Sequence, residues 1–92
     1  MTHLITPTVV RGARAMLDWT RADLAHFARV AEKAIQLYEH GDSRPRAETL
    51  AKLEAALRAA GCVVTADQSG AVAVSVVPGV APIPLSKMPK IG

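Results

Sequence analysis

The sequence predicts a mainly α-helical protein in which about four helices are followed by a C-terminal β-hairpin. Apolar residues recur at spacings of three and four from Val10 to Leu57, as in helices. The capping and stop residues Thr20, Gly41 and Gly61 divide this stretch into separate helices. After Gly61 the apolar period changes to two, which is typical of strands. With 92 residues, the chain forms one small domain with a modest core, so dimerisation would add useful buried surface.

The first helix is predicted from Pro7 to Asp18, behind a flexible arm of residues 1–6. Thr6 followed by Pro7 suits a helix start, because threonine caps the first turn and proline fits its first position. Three apolar residues are spaced so that they face the core: Val10, Ala13 and Leu17.

Two short helices joined by a tight turn are predicted within residues 20–41, and the rest of the chain is organised around them. Thr20 with Asp23 three residues later gives a capping signal, so the first of these helices begins at about Arg21. Its apolar residues fall on one face: Leu24, Ala25 and Ala28.

The second of these helices is predicted from about Ala31 to Tyr38. Val30 is the apolar plug of the preceding turn, and Ile35 and Tyr38 point inward. Four residues point outward: Glu32, Lys33, Gln36 and Leu37. A short, firmly seated helix with an outward polar row is what reading base edges in the DNA major groove requires.

A fourth helix is predicted from Ala47 to Ala60, after a polar loop in which Pro45 favours a helix start. Leu50, Leu53 and Leu57 fall on one side of it, and Gly61 ends it. Residues 7–61 are therefore interpreted as one helical domain.

Residues 62–77 are predicted as a β-hairpin and as the dimerisation element. Strands are expected at Cys62–Thr65 and Ala71–Val77, around a turn at residues 67–70. Two strands alone are marginal in water, so the hairpin would gain most by pairing with another subunit. The alternative is a hairpin folded back on its own helices. The predicted dimerisation residues are Val63, Val72, Val74 and Val76.

Residues 78–92 form a proline-rich tail, which we expect to be extended or mobile. Its residues Ile83 and Leu85 could dock on a neighbouring molecule.

The composition argues against several classes of function. The lone Cys62 excludes an internal disulfide and fits a reducing, cytoplasmic location. The three histidines lack the spacing of metal ligands, and no phosphate loop or catalytic nucleophile pattern is present, so we expect no enzyme, metal or cofactor. Prolines interrupt the uncharged stretch 68–86, which argues against a membrane span. The net charge of +3 permits a polyanionic partner without requiring one.

An ordered set of residues across positions 8–64 resembles the phage-repressor-like (Cro/C1 or Xre) helix-turn-helix family. The first part of the set is Arg14, Leu17, Trp19, Thr20, Leu24, Ala25, Ala28, Val30, Ile35, Glu39 and Gly41. The second part is Pro45, Arg46, Glu48, Thr49, Leu50, Leu57 and Gly61. This resemblance implies a lambda-repressor-like bundle and double-stranded DNA as the partner.

The resemblance also implies roles for single residues. Arg14 is expected to pair with Glu39 and to tie the first helix to the end of the recognition helix, a structural contact. Arg21 takes the place that commonly meets a phosphate or base. Ala31, Glu32, Lys33 and Gln36 take the exposed start of the recognition helix and the turn after it.

Side-chain chemistry refines the expected DNA contacts. Lys33 could donate to guanine or a phosphate, Gln36 could form a bidentate contact with adenine, and Glu32 could accept from cytosine. Arg44 and Arg46 could clamp a phosphate beside the recognition helix. The alternative for all these side chains is an ordinary solvated surface.

Three residues depart from the family pattern, and one of them is Ala34, which replaces a common Thr or Ser. Arg29 replaces the usual glycine of the turn and would be strained in a left-handed conformation. Ala31 replaces the usual Ser or Thr cap, a loss that costs about 0.5 to 2 kcal/mol.

The sequence therefore predicts a homodimeric transcriptional regulator, a repressor of a palindromic operator by default. The alternatives are a protein-binding module, such as an antiactivator or antitoxin that keeps the fold, and a DNA-binding subunit that needs a separate protein partner.

Overall fold

The computed structural model describes residues 5–89 and contains the four helices and the hairpin that the sequence predicts. The helices are α1 Pro7–Leu17, α2 Arg21–Ala28, α3 Glu32–Glu39 and α4 Ala47–Ala59. They are followed by strands β1 Cys62–Ala66 and β2 Val72–Val76 and by a short 3-10 helix, Leu85–Lys87. The predicted fold class is confirmed. Residues 1–4 of the predicted arm and 90–92 of the predicted tail lie outside the described residues.

Local capping sets where the first two helices begin. The Thr6 hydroxyl accepts a hydrogen bond from the Val9 N–H at 3.1 Å, and α1 starts at Pro7. At α2, Thr20 and Asp23 form a reciprocal capping box, with the Asp23 N–H bonded to the Thr20 hydroxyl at 3.0 Å and the Thr20 N–H to the Asp23 carboxylate at 2.8 Å. Each cap satisfies N–H groups that have no partner within the helix.

Two non-glycine residues end helices in the left-handed conformation. Asp18 has φ 58° and ends α1 one residue earlier than predicted. Arg29 has φ 58° and ψ 45° and ends α2 at the turn that leads into α3. The strain expected at Arg29 is therefore present, because a Cβ crowds the backbone in this conformation.

The recognition helix α3 is shifted by one residue from the prediction. Ala31 is the residue before the helix, with extended backbone (φ −68°, ψ 136°) and no side-chain cap, so the helix begins at Glu32. It continues through Glu39 instead of ending at Tyr38.

The core lies between the helices and under one face of the hairpin. Its largest fully buried apolar side chains are Leu24, Ile35, Leu53, Leu57 and Val10. At its edge, the rings of Trp19 and Phe27 stack with centroids 4.7 Å apart. Every helix thus contributes to one shared core.

The hairpin presents two different faces. β1 and β2 pair antiparallel with Val64 opposite Val74 and Val63 opposite Ser75. Paired residues share a face, and the side chains alternate along a strand. Val64, Val74 and Val76 are partly buried against the core, and the hairpin packs against α1 and α4.

This register divides the predicted dimerisation residues between the two faces of the hairpin. Val63 lies on the opposite face from Val72, Val74 and Val76, so the four residues do not form one surface. Val74 and Val76 contact the protein's own core. Val72 shares their face but is 46% exposed, because it lies at the hairpin tip.

The described part of the tail, residues 78–89, folds back onto the helices, although most of its side chains remain exposed. Pro84 is buried, and Ser86 bonds to Asp23 of α2. Within residues 5–89, no helix has the length and apolar character needed to cross a membrane.

Replacing Arg29 by glycine should stabilise the fold. Glycine removes the left-handed strain, about 1 to 2 kcal/mol, but loses more backbone entropy, about 0.5 to 1 kcal/mol. We expect a net gain of about 1 kcal/mol in the free energy of unfolding, measured by urea denaturation. Arg29→Ala is the matched control because it removes the same charge but keeps the Cβ. An equal gain in both variants would show that charge, and not backbone strain, is responsible.

Candidate nucleic-acid interface

α3 is seated by one buried face and exposes the other. Ile35 is fully buried, Tyr38 is buried, and the Tyr38 hydroxyl donates to the Ile5 carbonyl at 3.2 Å. On the opposite side, Ala31, Glu32 and Lys33 are exposed and Gln36 is partly exposed. The hairpin packs on α1 and α4, away from this surface. The start of α3 is therefore open to a partner.

A buried carboxylate joins three helices behind this surface. Arg14 of α1 forms a fork with Glu39 of α3, with Nε 2.6 Å from Oε2 and Nη2 2.8 Å from Oε1. Arg14 also donates to the Trp19 carbonyl at 3.0 Å. Arg21 of α2 donates to Oε1 of Glu39 at 3.2 Å. Glu39 is only 1% exposed, so this cluster is a cross-link inside the protein.

The surroundings of Glu39 keep it ionised. Burial alone would raise the pKa of this carboxyl, but hydrogen bonds and positive charge from Arg14 and Arg21 outweigh burial and lower the pKa. Arg11 adds a contact at the end of α3, where its guanidinium donates to the Glu39 carbonyl. A helix C-terminus favours such a cation.

Arg21 belongs both to this cluster and to the surface. Its Nε faces Glu39, while 36% of its side chain remains exposed at the first turn of α2. The contact with Glu39 restricts the guanidinium to one place. Arg21 can therefore offer its remaining N–H groups to an anion in front of α2 without a large loss of side-chain entropy.

The charges around α3 favour an anion. Five cationic side chains lie between residues 21 and 46: Arg21, Arg29, Lys33, Arg44 and Arg46. Of the four carboxylates in the same stretch, Asp23 and Glu39 are buried and hydrogen-bonded, which leaves Glu32 and Asp42 exposed. The exposed charge here is positive, as a DNA-binding surface requires.

Sequence reasoning missed one candidate on this surface. The family pattern presents Arg29 only as a strained substitute for glycine, yet its exposed side chain lies in the turn between α2 and α3. The signal in the sequence is its position in the turn, three residues before the first residue of α3.

Asp23 is buried in the first turn of α2, the turn that also carries Arg21. Burial would raise its pKa, but hydrogen bonds from Ser86 and Thr20 outweigh burial and lower the pKa. Its charge is thus held inside the protein by donors and does not face the surface.

The described residues contain no cluster of metal ligands. No group of three or more His, Cys, Asp or Glu side chains within residues 5–89 is arranged to hold a metal ion. Cys62 is a buried free thiol, and burial raises its pKa, so it is a poor nucleophile.

A comparison with protein families identifies the family of this chain. The model of the helix-turn-helix family of the Cro/C1 type matches residues 10–59, more than half of the chain. The protein belongs to this family and is a helix-turn-helix DNA-binding regulator. The comparison with curated proteins finds no match.

Glu39→Gln should destabilise the fold in a pH-dependent way. At pH 7 the variant leaves two arginines facing a neutral amide, and we expect a loss of about 3 kcal/mol. The pKa of Glu39 is lower in the folded protein than its ordinary value of 4.5. The ionised carboxylate therefore stabilises the native state above that value, and this contribution disappears as the pH falls through the folded pKa. The stability difference between the two proteins should shrink in acid.

Urea denaturation at pH 7, pH 5 and pH 3.5 checks this. Glu48→Gln is the control, because Glu48 is exposed and pairs with Lys52 at 3.5 Å. Its loss should stay below about 1 kcal/mol. A constant difference between the native protein and Glu39→Gln at all three pH values would contradict the assigned role.

Proposed function

We propose that this member of the helix-turn-helix family is a dimeric, sequence-specific repressor that inserts α3 into the major groove of a palindromic operator. The observation that carries the proposal is the arrangement of α3. Its inner face is fixed by Ile35, Tyr38 and Glu39, and the first turn, including Glu32 and Lys33, is exposed. The DNA major groove is wide enough to admit a protruding helix that is held in this way.

Sequence readout is assigned to the exposed start of α3. Lys33 donates to guanine and Gln36 pairs with adenine, while Glu32 accepts from cytosine and rejects other bases. Ala31 allows close approach or contacts a thymine methyl group. Glu32 also disfavours placement against phosphates, so it contributes to register.

Affinity is assigned to the cations around α3. Arg21 contacts a phosphate from the first turn of α2, held by Glu39 at 3.2 Å. The exposed Arg44 and Arg46 contact phosphates on the other side, and Arg29 adds a further cation. Contacts with phosphates fix orientation and carry no sequence information.

Dimerisation is assigned to the apolar face of the hairpin. This face continues beyond the helices at the tip, where Val72 and its partner Ala66 are exposed. The half-buried Val74 and Val64 connect the tip to the core. A second copy related by a two-fold axis would cover the tip. Two recognition helices about 34 Å apart then match successive major grooves.

Repression follows from occupancy of the promoter by the dimer.

The proposed roles on α3 and α2 predict different binding defects. Lys33→Ala and Gln36→Ala should each lose about 1 to 3 kcal/mol on the selected operator, with little change on a random duplex. Arg21→Ala should weaken binding to both duplexes and reduce the slope of log affinity against log salt by about 0.9. Arg14 keeps its fork to Glu39 in that variant, so the fold should persist.

The measurement is titration of the purified protein, first against genomic fragments to select an operator and then against that operator and a random duplex at several salt concentrations. Arg58→Ala is the control, because Arg58 pairs with Glu54 near the far end of α4, about 18 Å along that helix from Arg46. Equal losses on both duplexes for all three interface variants would refute the division of roles. Absence of saturable binding to any duplex would instead support a protein-binding module.

Substituting the two exposed hairpin valines tests which face of the sheet forms the dimer interface. Val72→Asp places a charge on the apolar tip and should shift the protein to monomer, measured by sedimentation over a range of concentrations. Val63→Asp places the same charge on the opposite face and should leave the dimer intact. Both side chains are 46% exposed, so the two substitutions are matched. If Val63→Asp alone dissociated the dimer, the interface would lie on the Val63 face, and the proposed assignment to the Val72 face would be wrong.

A further inference from the structure

The segment after the hairpin returns to the helix-turn-helix unit, and we call residues 77–89 the strap. It turns at Gly79, which has φ 79°, and Val80 then packs on Gly61. A Cβ at Gly61 would lie 3.0 Å from the Cβ of Val80, so any larger residue there would have to displace Val80. The Val77 N–H also bonds to the Gly61 carbonyl at 2.9 Å. The strap is thus fixed where it leaves the hairpin.

The other end of the strap is latched to α2. Ser86 donates twice to Asp23, through its N–H to Oδ1 at 3.1 Å and through its hydroxyl to Oδ2 at 2.5 Å. Asp23 is 2% exposed and belongs to the capping box of α2. Pro84, two residues earlier, is buried. These contacts fix the position of residue 87 relative to the first turn of α2.

Lys87 is therefore a second cation at this end of α2. Its side chain is half exposed, and Nζ lies 2.7 Å from Oδ2 of Asp18, three residues before Arg21 in the sequence. An unpaired Asp18 would repel a phosphate approaching Arg21. Lys87 cancels this charge and remains accessible to solvent.

We propose that the strap is a second element that contacts the DNA backbone, in which the Ser86 latch positions Lys87 to bind a phosphate next to the one bound by Arg21. This inference rests on the proposed mode of DNA binding. Lys87 lies at α2 and not on the exposed face of α3, so its contact is independent of sequence. A compact, half-exposed ammonium suits a phosphate contact, because it can turn from Asp18 to a phosphate oxygen.

The salt dependence of binding to a random duplex tests the proposal in the full chain. Lys87→Ala should make the negative slope of log affinity against log salt about 0.9 less steep. Its affinity loss between 50 and 200 mM salt should be about three- to fourfold smaller than that of the native protein. Arg58→Ala removes one charge from a paired side chain on α4 and should leave the slope unchanged. Equal slopes for the native protein, Lys87→Ala and Arg58→Ala would overturn the proposal.

A double variant separates a phosphate contact from simple neutralisation of Asp18. Asparagine tolerates the left-handed conformation of Asp18, so Asp18→Asn should not disturb the fold. If Lys87 contacts a phosphate, the slope of Asp18→Asn with Lys87→Ala stays as low as that of Lys87→Ala. Recovery of the native slope would show that Lys87 only neutralises Asp18, and the proposal would be wrong.

A separate variant tests the hydrogen bonds from Ser86 to Asp23 that we call the Ser86 latch. Ser86→Ala keeps every charge but removes one of the two hydrogen bonds to Asp23, so affinity for the random duplex should fall at an unchanged fold and net charge. Unchanged affinity would contradict the positioning role of Ser86. A native protein that binds no duplex would refute the proposed function itself, whereas normal binding with an unaltered Lys87→Ala slope would refute only the strap.

Discussion

The buried carboxylate of Glu39 is the interaction on which the arrangement of the helices depends. It accepts hydrogen bonds from Arg14 of α1 and Arg21 of α2, while itself belonging to α3. A charge that is 1% exposed is tolerable only if its partners stay in place, because an unpaired buried carboxylate is strongly unfavourable. If any of the three helices moved relative to the others, the carboxylate would lose one of its arginine partners. The orientation of α3 is therefore set electrostatically as well as by apolar packing.

The recognition helix itself has little local stability. It has eight residues, begins without a side-chain cap and follows a strained left-handed arginine. Helices of this length are not stable in isolation, so tertiary contacts must supply the difference. Ile35 and Tyr38 provide those contacts from one side of the helix. The other side then needs no intramolecular partners, and its residues are available for a ligand.

Sequence patterns predicted the elements far better than the contacts between them. Caps at Thr6 and Thr20 and the glycines after α3 and α4 are local signals, and the helix bounds that they indicated agree with the structure within one residue. The alternation of valines predicted two strands, but the side that packs inward depends on contacts with α1 and α4. The bond from Ser86 to Asp23 joins residues 63 positions apart, and proline-rich composition gave no indication of it. The contact of Arg21 with Glu39, over 18 positions, was equally invisible.

The strap connects the hairpin to the start of α2, the two parts of the molecule that the proposed dimer would have to keep in register. Its first contact is with Gly61 at the base of the hairpin, and its last described contacts are with Asp18 and Asp23 at the start of α2. The hairpin packs on α1 and α4, and a tilt at this contact would change the distance between two recognition helices across the proposed dimer axis. A second attachment through buried Pro84 and the Ser86 latch resists this tilt. In the proposed dimer, half-site spacing on DNA would depend on that distance, so the strap would link the geometry of dimerisation to the geometry of binding.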